Sequence, residues 1–292
     1  MKTAVSVYSF HQAIKAGRLT VMQCIAKAKE MGFDGFEFVD FATALPAETS
    51  YVSREEYAAA LHAECEAQGI AVTNYAFGAD FQSRDLKEEL ARVKKEIDIA
   101  EILGAPIIRH DVAYGSHNGQ YESFDSILPR LAGAIRELTE YAAGKGIKTT
   151  VENHGIFVQD ALRVEKLINA VRHPNFGWLV DMGNFTCADE NPAVSVGIAA
   201  PYAFNVHAKD FIIKPADGPN PGRFFFQSRN GNYLRGTIVG QGNVPVKHCL
   251  KALKKAGYDG YVAIEFEGIE DCFLALEAGL ENLKRYISEI DQ

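Results

Sequence analysis

Four short stretches of the sequence place an acidic residue or a histidine near the end of an apolar run. They are VENHG with Glu152, LVDMGN with Asp181, VHAKD with His207 and AIEFEG with Glu265. Three carboxylates brought together in a partly dry cavity are unfavourable unless protons or a cation offset their charge. A divalent cation would do this, with the neutral imidazole of His207 as a fourth ligand. Because most of these ligand atoms are oxygens, we expect one divalent cation, with manganese first and magnesium, cobalt or zinc as alternatives.

The stretch NVHAKDF around His207 allows other roles as well. Strand alternation directs Asn205, His207 and Lys209 to one face. Asp210 falls on the other face and is therefore left out of the predicted chemistry. His207 could instead be a core histidine or a proton shuttle, and each carboxylate alone could belong to a salt bridge at a barrel mouth. The metal interpretation depends on the whole set meeting at one place.

Whether the set can meet depends on the elements that carry it. Eight β-rich runs alternate with eight amphipathic helical patterns, which predicts parallel strands joined by right-handed crossovers. Eight such units predict a (β/α)8 barrel, or TIM barrel, in a single domain over residues 1–292, with its active site where the strands end. The predicted strands are 4–10, 35–40, 71–77, 105–112, 149–155, 177–184, 202–211 and 261–268. The predicted helices are 18–31, 54–68, 86–103, 123–145, 159–171, 191–200, 244–256 and 272–290.

A doubly wound open sheet is the competing architecture. It would place a glycine-rich, phosphate-binding turn after the first strand, and SVYSFHQA contains no such turn. One connection departs from the regular alternation, because residues 212–243 form a long Pro- and Gly-rich loop after the seventh strand. Loops of this length are usually functional or disordered. The three consecutive phenylalanines at 224–226 indicate that it packs against substrate or a neighbouring subunit.

Composition narrows the class of protein. The net charge of -8 argues against an extended nucleic-acid-binding surface. The five cysteines are scattered without a C-x-x-C pair, which predicts neither a disulfide framework nor a zinc ribbon and fits a reducing cytoplasm. No segment approaches the roughly 18 apolar residues of a membrane span. We therefore expect a cytoplasmic protein that binds neither membranes nor nucleic acid and that forms a homo-oligomer, a dimer or a tetramer.

The four stretches resemble, in order and strand position, the metal-ligand strands of the sugar phosphate isomerase/epimerase superfamily, also called xylose isomerase-like barrels. The resemblance implies a metal site made of Glu152, Asp181, His207 and Glu265. Where the family's ketose 3-epimerases place a histidine three residues after the aspartate, this chain has Asn184, which favours a different sugar or pose. The third strand, TNYAFG, lacks a histidine, so the trinuclear zinc site of the superfamily's apurinic endonucleases is not expected.

The resemblance also implies a reaction. It would be a sugar isomerisation or epimerisation in which a proton next to a carbonyl is removed through a metal-bound enediolate, with Glu152 and Glu265 as the catalytic acid and base. A lyase or dehydratase acting on a keto-sugar such as an inosose or a 3-keto-glycoside is the first alternative, and a non-catalytic sugar-binding barrel is the second. The carbohydrate substrate is expected to contact His110, His154, Asn184, Lys209 and Arg235.

Overall fold

Eight parallel strands form a closed barrel in a computed structural model, which describes residues 1–47, 49–117, 120–121 and 123–291. Each strand pairs with its neighbours in chain order, and the last strand pairs with the first, so the predicted barrel is confirmed. Strands β1 to β8 are Lys2–Ser6, Gly35–Val39, Ala71–Phe77, Ile107–His110, Lys148–Glu152, Phe176–Asp181, Ala203–Ala208 and Tyr261–Ile264.

A helix follows each barrel strand, as the amphipathic patterns predict. Thr20 and Gln23 form a capping box at the start of the first helix, which ends at Gly32 in the left-handed conformation that glycine adopts without steric cost. Helices α1 to α8 are Val21–Met31, Arg54–Gln68, Leu86–Ile102, Phe124–Ala143, Ala161–Val171, Pro192–Ala199, Val246–Lys255 and Cys272–Asp291. No helix in these described ranges is long and apolar enough to cross a membrane.

Several strands are shorter than predicted. β1 ends at Ser6, and Val7–Phe10 form a 3-10 helix rather than the end of a strand. β8 ends at Ile264, one residue before Glu265. The apolar runs continue past the last hydrogen bond between the strands because the side chains that follow are also buried at the barrel mouth. Composition alone does not distinguish such buried turn residues from residues of a strand. As a result, the acidic residues lie at strand ends or in the turns that follow them.

The connection after β7, which was predicted as a long loop over 212–243, contains a small sheet of its own. Three short strands, Asp210–Lys214, Phe226–Gln227 and Tyr233–Thr237, form an antiparallel sheet. We call residues 210–243 the β7 insertion. Strands of two to five residues separated by Pro and Gly carry too little alternating hydrophobicity to be recognised from the sequence.

Asp210 closes the base of the β7 insertion. Its buried carboxylate accepts hydrogen bonds from the backbone N–H groups of Gly240, Gly242 and Val244 at 2.9 to 3.0 Å. The first residue of the insertion's first strand thus holds both ends of the insertion together. Its position agrees with leaving this aspartate out of the predicted chemistry.

Candidate metal centre and active site

Four side chains converge at the carboxyl ends of β5 to β8. Glu152, Asp181, His207 and Glu265 each offer one ligand atom, and these atoms all lie within 4.8 Å of one another. We call these residues the tetrad. The first three are buried and Glu265 is partly exposed, with 14% of its side chain accessible. Consecutive parallel strands lie about 4.8 Å apart, so the barrel itself brings the strand ends together.

The unpartnered atoms of the tetrad fit a bound cation. Nδ1 of His207 and Oδ2 of Asp181 are buried and have no hydrogen-bond partner in the described part of the chain. His207 Nδ1 lies 3.6 Å from Glu265 Oε2 and 3.7 Å from an oxygen of both Glu152 and Asp181. These separations are too long for hydrogen bonds and leave room for an ion between the atoms. Buried polar atoms are rarely left unpaired, so the residues present fit a divalent cation.

Glu37 on β2 holds the imidazole of His207 from the opposite side of the barrel. The His207 Nε2–H group donates to both oxygens of Glu37, at 2.8 and 3.0 Å, and Asn74 and Asn205 also donate to this carboxylate. This contact fixes the tautomer and leaves Nδ1 free to bind a metal. Burial alone would lower the pKa of His207, but the charges of Glu37 and Glu265 outweigh it and raise this pKa well above the ordinary value. A bound cation would take the place of that proton.

Both oxygens of Glu152 are already engaged. Oε2 lies 2.6 Å from Nε of Arg109, and Oε1 accepts a hydrogen bond of 2.9 Å from Nδ2 of Asn184. Burial raises the pKa of Glu152 above its ordinary value although Arg109 opposes this. Asn184 also donates its backbone N–H to Asp181 at 2.8 Å, so the structure places this predicted substrate contact among the groups that hold the tetrad. The arrangement orients Glu152 firmly.

Arg109 occupies the position in which the sequence analysis expected His110. Arg109 lines the cavity above the tetrad, whereas His110 lies on the other face of β4, fully buried against the rings of Phe81 and Phe176. The predicted register at the end of this strand was therefore off by one residue, and the alternation of side chains reverses with such a shift. A charged residue within an apolar strand run, Arg109 in IIRHD, was the sequence feature that could have identified it as a residue of the site.

Lys209 points into the site, as expected, and lies within salt-bridge distance of three carboxylates there. Its Nζ lies 2.6 Å from Glu265 Oε2, 3.5 Å from Asp181 Oδ2 and 3.7 Å from Glu267 Oε2. Burial would lower the pKa of Lys209, but these carboxylates raise it well above the ordinary value. In return, Lys209 and His207 outweigh the burial of Glu265 and hold the pKa of that carboxyl well below its usual range. Glu265 is accordingly ionised.

His154 and Asp111 form a pair on the opposite wall. His154 Nδ1 lies 3.0 Å from Asp111 Oδ1, and the histidine side chain is 44% exposed. Partial burial and Arg109 lower the pKa of His154, but the bond to Asp111 and the nearby charge of Glu152 outweigh them and raise it above the ordinary value. An imidazolium held in this way can donate a proton near neutral pH. No motif in the sequence indicates that Asp111 is the partner of His154.

A cavity of about 310 Å³ lies above the tetrad and is bordered by these groups. Tyr8, Arg109, Lys209 and Glu267 line it together with three members of the tetrad. Arg235, the last predicted substrate contact, borders a neighbouring cavity instead. Its Nη2 group donates to Glu270 at 3.3 Å. The main cavity therefore combines carboxylates, cations and one exposed histidine in a volume suited to a small polyol.

Comparison with known proteins places this site in a family. The model of the xylose isomerase-like TIM barrel family matches residues 25–288, and the chain belongs to that family. The match agrees with the resemblance drawn from the four sequence stretches. The closed barrel and the tetrad at its mouth are thus those of an enzyme of the xylose isomerase-like family.

Individual relatives and structural neighbours of the chain include a dehydratase and an epimerase. Over 262 residues the chain is 24% identical to an inosose dehydratase of Geobacillus thermodenitrificans, covering 86% of this chain and 83% of that protein. An L-ribulose 3-epimerase shares the fold with a TM-score of 0.74 and 14% identity, covering 99% of this chain and 95% of the other. The IOLI protein, solved with a binding zinc atom, shares it with a TM-score of 0.75 and 17% identity, covering 99% and 98%.

Proposed function

We infer that the protein is a divalent-metal-dependent dehydratase that acts on a polyhydroxylated ketone such as an inosose. The similarity to an inosose dehydratase over most of both chains supports this reading. The observation that carries it is the engagement of both Glu152 oxygens, by Arg109 and Asn184, while Glu265 stays accessible from the cavity. One carboxylate is then available as a base, and a separate group must handle the second proton.

The tetrad would hold the cation, with manganese as the first candidate. When bound, this cation supplies Lewis acidity that polarises a substrate carbonyl and lowers the pKa of the neighbouring C–H group. Glu265 is positioned to remove that proton, because Lys209 at 2.6 Å keeps its carboxylate ionised and 14% of the side chain is exposed. A carboxylate has two oxygens, so binding through one leaves the other for proton transfer.

His154 is positioned to complete the elimination. As the C–H electrons form a new C=C bond, the C–O bond on the adjacent carbon breaks and its oxygen needs a proton to leave as water. The His154 imidazolium, held by Asp111 at 3.0 Å on the wall of the cavity, supplies it. Glu265 gains one proton and His154 loses one, so the reaction consumes no oxidant or reductant.

Epimerisation or isomerisation, the reaction that the family resemblance implies first, is the second candidate. It is favoured by the position of Glu152 and Glu265 on one cavity, as a two-base mechanism requires. It requires that Glu152 exchange a proton with substrate, although Arg109 and Asn184 occupy both of its oxygens. The contacts of Glu152 with Arg109 and Asn184 are compatible with holding a cation but not with exchanging a proton with substrate. For this reason epimerisation or isomerisation is placed after dehydration.

Incubation of the manganese-loaded protein in deuterated water with inososes, ketoses, ketose phosphates and 3-keto-glycosides tests the proposal. We expect a dehydrated product, detected by nuclear magnetic resonance and by its enone absorbance, that is lost in Glu265→Gln and retained in the exposed control Glu281→Gln. An epimer or isomer formed without loss of water would select the second candidate. If none of these ketones exchanges deuterium, both enzymatic readings fail and a sugar-binding barrel remains.

A further inference from the structure

A second cavity, of about 560 Å³, lies beside the one above the tetrad. Tyr8 and Glu267 line both cavities, so the two adjoin at these side chains. The second cavity is the larger, and none of the steps proposed above uses it. A substrate with a single ring would leave it empty.

Several aromatic side chains line the second cavity. Phe224 and Phe226 of the β7 insertion border it with 55% and 43% of their surface exposed, and Ile269 is 47% exposed. Tyr8 and His11 add a pair of stacked rings with centroids 5.1 Å apart. Clustered exposed apolar side chains beside a polar cavity mark a binding surface rather than ordinary surface. Flat rings of this kind pack against other rings or against the apolar face of a sugar.

The β7 insertion is fastened so that it can present these rings. On one side, Asp189 accepts hydrogen bonds from Ser228 Oγ at 2.6 Å and Asn232 Nδ2 at 2.7 Å. On the other side, Arg235 and Thr237 both donate to Glu270, which follows β8. These contacts tie the insertion to the loops after β6 and β8 and make it a wall of the barrel mouth.

Phe224 itself adopts a strained conformation. Its φ of 76° lies in the left-handed region, which is uncommon for a bulky residue and persists only where the surroundings impose it. The guanidinium of Arg223 stacks on its ring, 4.7 Å from the centroid. Backbone strain of this kind concentrates at binding sites, which supports a binding role for Phe224 and the neighbouring Phe226.

Polar groups accompany the rings. Arg235 borders the cavity with 20% of its side chain exposed, and Glu267 lies at its junction with the catalytic cavity with 25% exposed. A guanidinium and a carboxylate together recognise hydroxyl groups, while the phenylalanines cover an apolar face. The ligand they suit is a flat ring that is apolar on its face and oxygen-bearing at its edge.

We propose that the second cavity binds a second ring of the substrate, joined through an oxygen to the ring that occupies the catalytic cavity. The proposal rests on the proposed function for the position of the first ring. The second ring is a sugar or an aryl group, since both have a flat apolar face and an oxygen link. The substrate is then a polyhydroxylated ketone whose carbonyl-bearing ring carries this second ring, for example a 3-keto-glycoside.

Binding measurements that need no turnover test this proposal. Calorimetric titration of the manganese-loaded protein compares methyl β-D-glucopyranoside with cellobiose, which carries a second sugar ring, and with 4-nitrophenyl β-D-glucopyranoside, which carries an aryl ring. We expect one of the two-ring probes to bind about 3- to 10-fold more tightly than the methyl glycoside. The tighter probe identifies the kind of second ring.

Variants assign the gain to the cavity. Phe224→Gly removes the ring and relieves the strained backbone, and we expect it to abolish the advantage of the two-ring probe, as should Phe226→Ala. Leu274→Ala, which removes an exposed side chain on α8 away from both cavities, should preserve it. The proposal is overturned if neither two-ring probe binds more tightly than the methyl glycoside, or if folded Phe224→Gly keeps the advantage.

Two further results are informative. If Phe224→Gly dissociates an oligomer in sedimentation while probe binding stays unchanged, the aromatic surface contacts a second copy of the chain and the proposal fails. If a ketone exchanges deuterium but neither two-ring probe binds more tightly than the methyl glycoside, the second-ring site is excluded and the proposed chemistry stands. A two-ring advantage that depends on Phe224, with no exchange in any ketone, would sink the proposed chemistry and leave the second-ring site standing.

Discussion

Nε of Arg109 lies 2.6 Å from Oε2 of Glu152, and neither side chain is more than 9% exposed. This buried pair joins β4 to β5, the strand that ends in Glu152. The ion pair also makes Glu152 less available as a base. Removing one member of such a pair leaves the other charge buried without its partner, which is far more costly than losing the pair as a whole.

Arg109→Met is therefore expected to lower the free energy of unfolding by about 3–5 kcal/mol in metal-free protein. Combining it with Glu152→Gln should recover part of that loss, because the Glu152 carboxylate is then no longer left unpaired, whereas Asp111 still lacks its contact of 3.0 Å with Nη2 of Arg109. Urea denaturation of the wild type, both single variants and the double variant measures the coupling. Independent, additive losses would show that the two side chains do not stabilise one another.

Metal binding should stabilise the fold through the tetrad. A cation that binds only the folded state, at 100 times its dissociation constant, adds about 2.7 kcal/mol to the free energy of unfolding. We expect manganese to raise the melting temperature and a chelator to reverse the rise. Asp181→Asn keeps an oxygen for the backbone N–H groups of Gly183 and Asn184 but removes the unpartnered carboxylate oxygen. An equal rise in this variant would place the metal elsewhere.

His154→Gln should separate the two proton transfers of the proposed dehydration. Loss of the proton donor is expected to slow release of water by about 10²- to 10⁴-fold, while Glu265 still exchanges the substrate C–H with deuterium. The measurement is the ratio of deuterium incorporation to product formation for a ketone that the wild type dehydrates. A parallel fall in both rates would contradict a specific role for His154 in the second step.

His110 predicts a pH dependence of stability that is separate from catalysis. Burial lowers the pKa of this histidine from 6.5 to about 4, with its hydrogen bond to the Asp111 carbonyl opposing the shift. Between these values the unfolded chain binds the proton and the folded chain does not, so stability falls as the pH falls through this window, by about 3 kcal/mol in all. Above pH 6.5 the histidine contributes no slope.

His110→Phe provides the comparison, since a phenyl ring suits the contacts with Phe81 and Phe176 and does not titrate. Loss of one hydrogen bond shifts its stability by a constant amount at every pH. Chemical denaturation between pH 7 and 4 should therefore show a shallower acid slope in the variant. Identical slopes in the two proteins would exclude His110 as the source.

The architecture, and the meeting of the four candidate ligands at one place, could be predicted from the sequence. Eight alternations of strand and helix period, with caps such as Thr20, are local signals that each segment carries by itself. Parallel strands bring their carboxyl ends to one mouth, so Glu152, Asp181, His207 and Glu265 follow from their positions at those ends. Periodicity sufficed for the barrel, whereas the choice of these four residues as a metal site depended also on the resemblance to the family.

The surroundings of the tetrad required the tertiary structure. Whether Arg109 or His110 faces the cavity depends on a one-residue register, which the short β4 run does not determine. Glu37 and His207 are 170 residues apart, and only closure of the barrel brings them to 2.8 Å. The β7 insertion has the composition of a loop. Its contacts with the loops after β6 and β8, which are distant in sequence, hold it beside the cavity. Local patterns thus determined the elements and the positions of the candidate ligands, whereas long-range packing decided which side chains contact these candidates, shift their pKa values and enclose the cavity.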